Sequence, residues 1–325
     1  MAIGFQQSAH QPQSESRLPI ADCTTMTQKR IGLLAADLIK LGNLQLVGKL
    51  VSEELMLGVH ASKRSGMGTE FEQYRHYEPG DDPKRIDWKL FARTDKHLVK
   101  ESSAESNRQI RFLLDLSGSM NYVENSISRL EYAKLVIASL AYLGYIQNDQ
   151  MSLYALQNGK VESIASGAAT SGKQSFNKIL FGLQKMAASG VWRSETDGRL
   201  QFPEFATKSK EQLIFVTDFL QVGEEWLTLI KSIASPRREI VVFQILGNNE
   251  VDFNLTGFYR FKDLETGREI ELQAEAVREK FTESSKAYFE MLEEQLRIPY
   301  VNLVQARLSD PLGMVLKEFL TRRKG

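Results

Sequence analysis

Among its 325 residues the chain has a single cysteine, Cys23. One thiol can form neither an internal disulfide nor a thiolate metal cluster. A reducing, cytoplasmic setting fits that usage. An excess of one charge is also missing: Lys plus Arg and Asp plus Glu both number 41, so the formal net charge is zero. Binding to a phosphate backbone draws on a basic surplus, so nucleic acid is not expected as the main partner. Long apolar runs are absent too. The densest stretch, Leu33 to Leu57, is interrupted by Lys40, Lys49, Glu53 and Glu54, and a bilayer span needs roughly 20 apolar residues. The first thirty residues hold no continuous apolar core of the signal-peptide kind. Histidine is scarce, and His60, His76 and His97 follow no ligand spacing.

Hydrophobic residues make up 42% of the chain, enough for a sizeable core. The length suits one large domain and a smaller segment. Residues 1–28, rich in Gln and Ser, are expected to be a mobile tail. Residues 29–107 form the N-terminal segment. Over 29–58, Leu34, Leu38 and Leu41, then Val47, Leu50 and Val51, recur at helical spacing on either side of a break at Gly42-Asn43. From residue 59 to 107 charges of both signs alternate with aromatics, which suggests short exposed strands and loops with ion pairs. Trp88 is expected to be buried against the main domain, with Arg85 or Arg93 paired to a carboxylate. Pro79-Gly80 suits the two central positions of a type II turn. Gly66-x-Gly68 is not a dinucleotide fingerprint, since no third Gly and no helix follow it.

Residues 108–325 alternate strand and helix. Apolar runs at 110–114, 213–216, 240–246 and 301–304 read as strands, and 151–156 with 160–165 as a strand pair about Gln157-Asn158-Gly159. Helical periodicity falls at 126–148, 173–188, 223–234, 275–297 and 311–323, with Asp310 as a cap before Pro311. A hairpin is expected near 258–272. The fold class that follows is α/β, a doubly wound, mostly parallel sheet.

One stretch organises this pattern: Asp115-Leu116-Ser117-Gly118-Ser119-Met120. It follows a buried strand and precedes a long helix, at the strand end that faces the ligand crevice in open α/β sheets. A carboxylate and two hydroxyls are a hard-oxygen set suited to Mg²⁺ or Mn²⁺. The same residues would also serve as an ordinary helix cap. Asp218 ends a second apolar strand in the same way. Two converging carboxylates repel unless a cation lies between them. Thr196 follows in chain order as a third contributor, with Thr170 as the alternative. A competing motif, Gly167-Ala168-Ala169-Thr170-Ser171-Gly172-Lys173-Gln174, nearly matches a P-loop. Gln174 stands where that motif needs Ser or Thr, and the preceding segment alternates like an edge strand.

Asp115-x-Ser117-x-Ser119 with a later Thr and Asp218 resembles the metal-ion-dependent adhesion site of von Willebrand factor A domains. The segment Gly66-x-Gly68-x-Glu70-Phe71, Arg75-x-Tyr77-x-x-Gly80-Asp81-Asp82, Arg85-Ile86-Asp87-Trp88 and Ala92-Arg93 resembles the signature of domain-of-unknown-function family fifty-eight. Those bacterial proteins carry such an A domain and are typically encoded beside MoxR-type AAA+ ATPases. The resemblance covers about residues 31–325. It implies a Mg²⁺-dependent protein-interaction module, an adaptor for such an ATPase. By resemblance, Ser117, Ser119 and Thr196 would ligate Mg²⁺ directly, with Asp115 and Asp218 acting mostly through water. A partner's carboxylate would fill the remaining position. No nucleophile or general base with an orienting partner is evident, so a binding role is expected rather than catalysis. The alternatives are a metal-dependent hydrolase using the same acidic pair and a P-loop-like nucleotide binder.

Overall fold

The structure is a computed structural model that describes residues 33–63, 73–78, 86, 88–101, 108–166, 172–189, 210–220 and 225–322. The expected tail, 1–28, lies outside them. So do the signature residues Gly66, Gly68, Gly80, Asp81, Arg85 and Asp87, and both candidate threonines, Thr170 and Thr196.

The chain first forms α1 (Ala35–Lys40) and α2 (Leu44–Lys63). They break where expected. Gly42 takes φ +61°, open to glycine without steric cost. Asn43 Oδ1 then accepts from the N–H groups of Gln45 and Leu46 at 3.0 and 3.1 Å, capping α2. Next comes a two-stranded antiparallel ladder of β1 (Gln73–His76) and β2 (Leu98–Glu101), with α3 (Trp88–Thr94) between them. The two short strands agree with the reading of that segment, but the helix between them was not expected. Trp88 is 56% exposed rather than buried, and meets Phe91 edge-on at 6.0 Å within the helix. The aromatic spacing that suggested a collar on the main domain instead builds a local cluster, in which Phe91 also contacts His97 at 4.4 Å. Arg93 is exposed in the last turn of α3.

The main sheet begins with β3 (Gln109–Asp115). A 3-10 turn at Gly118–Asn121 and a small hairpin, β4 (Val123–Glu124) with β5 (Ile127–Ser128), lead into α4 (Arg129–Ile146). The helix starts three residues later than its periodicity suggested, because Asn125 and Ser126 take positive φ to close the hairpin. Ser128 and Glu131 form a reciprocal capping box at its start. Then follow β6 (Gln150–Gln157), β7 (Lys160–Ala165), α5 (Gly172–Lys185), β8 (Glu211–Thr217), α6 (Glu225–Ile233), β9 (Arg238–Leu246) and a single turn, α7 (Asn248–Val251). A separate hairpin of β10 (Phe258–Lys262) and β11 (Glu269–Gln273) precedes α8 (Ala274–Gln295), β12 (Val301–Arg307) and α9 (Leu312–Arg322). Asp310 does not cap α9 as expected. Its carboxylate turns back to accept from Arg307 N–H at 2.8 Å.

The sheet order is β12-β9-β8-β3-β6-β7, parallel throughout except for β7. This is the doubly wound α/β arrangement expected from the sequence, with the strand order reversing between β3 and β8. Alternate residues serve opposite faces. Phe112 and Leu114 of β3 belong to the larger core, covered by α1, α2, α4, α5 and α9, whereas Leu113 belongs to the smaller one beneath α6 and α8. Every residue of β8 is buried, as a central strand requires, while β7 is largely exposed at one edge. The segment before the P-loop-like run is thus an edge strand, not the buried strand that a P-loop follows.

α2 lies tightly on α4. A Cβ on Gly48 would sit 2.7 Å from the Ala138 carbonyl oxygen. Ser52 Oγ donates to the Ser139 carbonyl at 3.1 Å in the same buried seam.

Candidate metal centre

β3 and β8 end side by side at the point where the sheet reverses direction. There the backbone can no longer pair on both sides, and a crevice opens. Asp115, Ser117, Ser119 and Asp218 all lie in it, all buried.

The loop after β3 turns on its own side chains. Asp115 Oδ1 accepts from Ser117 N–H at 2.8 Å, and Ser117 Oγ lies 2.9 Å from Ser119 Oγ. The two hydroxyls therefore converge on one point. From β8, Thr217 Oγ1 donates to Asp115 Oδ2 at 2.6 Å while accepting from Phe219 N–H at 3.1 Å. Thr217 orients Asp115 and went unnoticed in the sequence, where it reads only as the last residue of an apolar strand. The loop after β8 is equally fixed. Gln244 donates to the Asp218 carbonyl at 3.1 Å, and the Tyr288 hydroxyl donates to the Phe219 carbonyl.

Burial pushes the Asp115 carboxyl up to about 6, with the nearby charge of Asp218 adding to the effect and the bonds from Thr217 and Ser117 opposing it. Asp218 is differently placed. Its Oδ2 lies 2.6 Å from the guanidinium of Arg129, the first residue of α4, and both side chains are fully buried. Arg129 also pairs with Glu250 of α7, donates to the Ser119 carbonyl at 3.1 Å, and lies over the Tyr122 ring at 4.6 Å. Burial lowers the tendency of Arg129 to stay charged, but Glu250 and Asp218 outweigh it and hold the proton more tightly. The acidic pair was expected to need a metal cation to offset its repulsion; Arg129 already supplies part of that positive charge. One member, Asp218, has a cation built into the fold.

Arg129 had a weak signal in the sequence. A cation at a helix N-terminus opposes the macrodipole, so it needs a local carboxylate to justify it. Nothing in the sequence indicated that the carboxylates would come from β8 and α7.

The oxygens that could hold a cation are those of Asp115, Ser117 and Ser119, with Asp218 behind them. No group of three or more His, Cys, Asp or Glu among the described residues forms a metal cluster by itself. Any such site depends on the serine hydroxyls. Ser189, the last described residue before the segment carrying Thr196, donates its N–H to the Leu116 carbonyl at 2.8 Å. Ser189 thus lies against the loop that follows β3. The opposite end of the sheet is balanced by contrast, with buried Glu211 paired to Arg111 and Arg238, each at 3.0 Å.

These features define a doubly wound α/β domain with an acidic, hydroxyl-lined crevice at its switch point. The chain belongs to the family described as "Protein of unknown function DUF58", whose model matches residues 73–290. It is similar to the uncharacterized proteins Rv1480 of Mycobacterium tuberculosis and Mb1516 of Mycobacterium bovis. Each is 23% identical over 290 residues, covering 88% of this chain and 89% of the relative. Among solved structures, the conserved hypothetical protein BatB from Bacteroides thetaiotaomicron has a TM-score of 0.40 at 15% identity, over 67% of this chain and 99% of that one. A von Willebrand factor type A structure from Catenulispora acidiphila has a TM-score of 0.28 at 15% identity, over 43% of this chain and 34% of that one. No helix among the described residues is long and apolar enough to cross a membrane.

Proposed function

We propose that this protein is a Mg²⁺-dependent protein-interaction module, in which the crevice holds a divalent cation and the cation receives a carboxylate from a partner. The observation that carries this reading is the convergence of the Ser117 and Ser119 hydroxyls, 2.9 Å apart, beside the buried Asp115 carboxylate. Two neutral oxygens and a carboxylate are a hard donor set for Mg²⁺ or Mn²⁺. Asp115 lies in a site whose other close carboxylate, Asp218, already faces Arg129. A cation would offset the cost of keeping Asp115 ionised there.

When bound, the cation would supply a positive field and an exchangeable position. The chain supplies the rest. Ser117 and Ser119 present oxygens, Thr217 fixes Asp115, and Arg129 holds Asp218 in place. Thr196 would complete the set by resemblance. The partner suggested by that resemblance is a MoxR-type AAA+ ATPase, in a cytoplasmic setting consistent with the lone cysteine. The protein would act as its adaptor by binding rather than by catalysis.

Capture of the ATPase encoded beside the gene, in Mg²⁺ and in EDTA, tests the reading. Recovery that depends on Mg²⁺ and is lost in Ser117→Ala is expected. Equal recovery in both buffers would show that a cation does not bridge the two proteins.

A further inference from the structure

One edge of the main sheet is left open. β7 pairs with β6 on one side, and no further strand among the described residues lies on the other. The two strands are joined by a two-residue turn, Asn158-Gly159, with φ of +51° and +68°, and Gln157 lies opposite Lys160. In a hairpin of this kind the residues flanking the turn exchange hydrogen bonds, and bonded and non-bonded pairs then alternate along the strands. Lys160 and Glu162 thus turn their backbone groups in toward β6. Val161 and Ser163 turn theirs outward from the sheet edge.

The side chains alternate as well. Glu162 stands opposite Ala155, which belongs to the larger core, and Val161 opposite Leu156, which belongs to the smaller one. Lys160 and Glu162 therefore share the face covered by α5, and both are exposed. Charges on an edge strand discourage pairing with most other chains. Here they are of opposite sign and two positions apart. A reversed copy of the same strand, centred on Val161, sets each Lys160 opposite the Glu162 of the other copy. The ladder skips Ile164, since Tyr154 faces Ser163 and Leu153 faces Ala165, and this bulge ends the regular edge. Ile164 is 41% exposed and lies against Gly182 of α5, where a Cβ would meet it at 2.8 Å. Phe181, the residue before Gly182, is 59% exposed. Apolar surface is thus left beside the open edge.

We infer that β7 is a self-association edge, pairing antiparallel with β7 of a second copy of this chain about a two-fold axis between the two Val161 residues. The Val161 residues exchange N–H to carbonyl bonds across the axis. Lys160 and Glu162 meet as non-hydrogen-bonded pairs, in which side chains come closest, and symmetry gives two such ion pairs per dimer. The rotation reverses the second sheet. The two crevices then open at opposite ends of the joined sheet, so each copy remains free to take its own partner.

Sedimentation equilibrium of the full chain in EDTA, at low and high salt, tests this with no cation taking part. The parent, Lys160→Glu, Glu162→Lys and an equimolar mixture of the two variants are compared over a range of concentrations, each melted to confirm that it is folded. The parent should form a dimer whose share rises with concentration and falls with salt. Each variant alone sets like charges opposite each other twice per dimer, and should weaken association about tenfold. The mixture should recover the dimer, because each variant offers the charge that the other lacks. A parent that stays monomeric at every concentration would overturn the inference and leave the edge to a strand of another protein. A dimer that both variants form as readily as the parent would overturn it by placing the contact on another surface. So would a mixture that associates no better than either folded variant alone.

Discussion

Arg129 and Asp218, separated by 89 positions in the chain, meet at 2.6 Å with both side chains fully buried. This contact ties the start of α4 to the end of β8, and through Glu250 it reaches α7. It gives the crevice a fixed positive charge that the bare sequence motif lacks. Arg129 pairs with Asp218 and Glu250, and the carboxylate of Asp115 adds its charge to theirs in the crevice. That surplus is what makes a divalent cation a physically sensible guest.

Removing Arg129 should be severe. Arg129→Met leaves Asp218 and Glu250 buried without their cation, and breaking such a network costs about 3–5 kcal/mol. Arg129→Lys should recover only part of the loss, because an ammonium cannot match the planar fork that serves two carboxylates and the Ser119 carbonyl. Urea denaturation gives both numbers. A loss under 1 kcal/mol for the Met variant would mean that the network contributes little.

The acidic groups set opposite pH trends with and without metal. Asp115 and Asp149 are both raised to about 6, chiefly by burial, and Glu265 to about 7. Each holds its proton more tightly in the folded protein than in the unfolded chain, where carboxyls titrate near pH 4. Their contribution to stability is fully present below about pH 4 and is lost as pH rises through 6 to 7. In EDTA the melting temperature should therefore fall between pH 5 and pH 8 as far as these groups control it. The increment given by Mg²⁺ should grow over the same range, because protons compete with the cation for Asp115. An increment that does not change with pH would remove Asp115 from the site.

The α2–α4 seam gives a test in which two effects oppose each other. Gly48 lies inside a helix, where Ala is favoured by about 1 kcal/mol. Its Cβ, however, would meet the backbone oxygen of Ala138 at 2.7 Å, and backbone cannot step aside as a side chain can. Overpacking costs about 1–3 kcal/mol, so Gly48→Ala should lower stability. A gain in a chemical melt would mean that α2 sits less tightly on α4 than described.

Trp88 provides a contrasting surface case. At 56% exposure it has little core to lose, so Trp88→Ala should change stability by less than about 1 kcal/mol. A loss of 3 kcal/mol or more would place it in a core after all. Partner capture that fails while stability holds would mark α3 as part of the contact surface.

The sequence carried the central fold well because its signals are local. The continuous apolar run Leu213–Val216 had to be a central strand, and the alternating 160–165 an edge. The break at Gly42-Asn43 was also legible in advance. Asp115 and Asp218 could be placed together because both end apolar runs that read as central strands of one sheet. Arg129 and Thr217 could not, since each acts through contacts with distant parts of the chain that have no periodicity. Trp88 misled for the opposite reason. Its aromatic neighbours pack within one short helix and its loop, and composition cannot distinguish a local cluster from a shared core. Asp310 is a milder case, because an Asp ahead of a helix can bond backward as readily as forward.

The cation site itself is tested most directly by thermal or chemical melts of the full chain in Mg²⁺, Mn²⁺ and EDTA, with Asp115→Ala alongside. A cation that binds only the folded state stabilises it by about 2.7 kcal/mol at a hundredfold excess over Kd. A stabilisation of that order is expected in the parent and should vanish in Asp115→Ala. Identical melts of the parent in Mg²⁺, Mn²⁺ and EDTA would contradict the account.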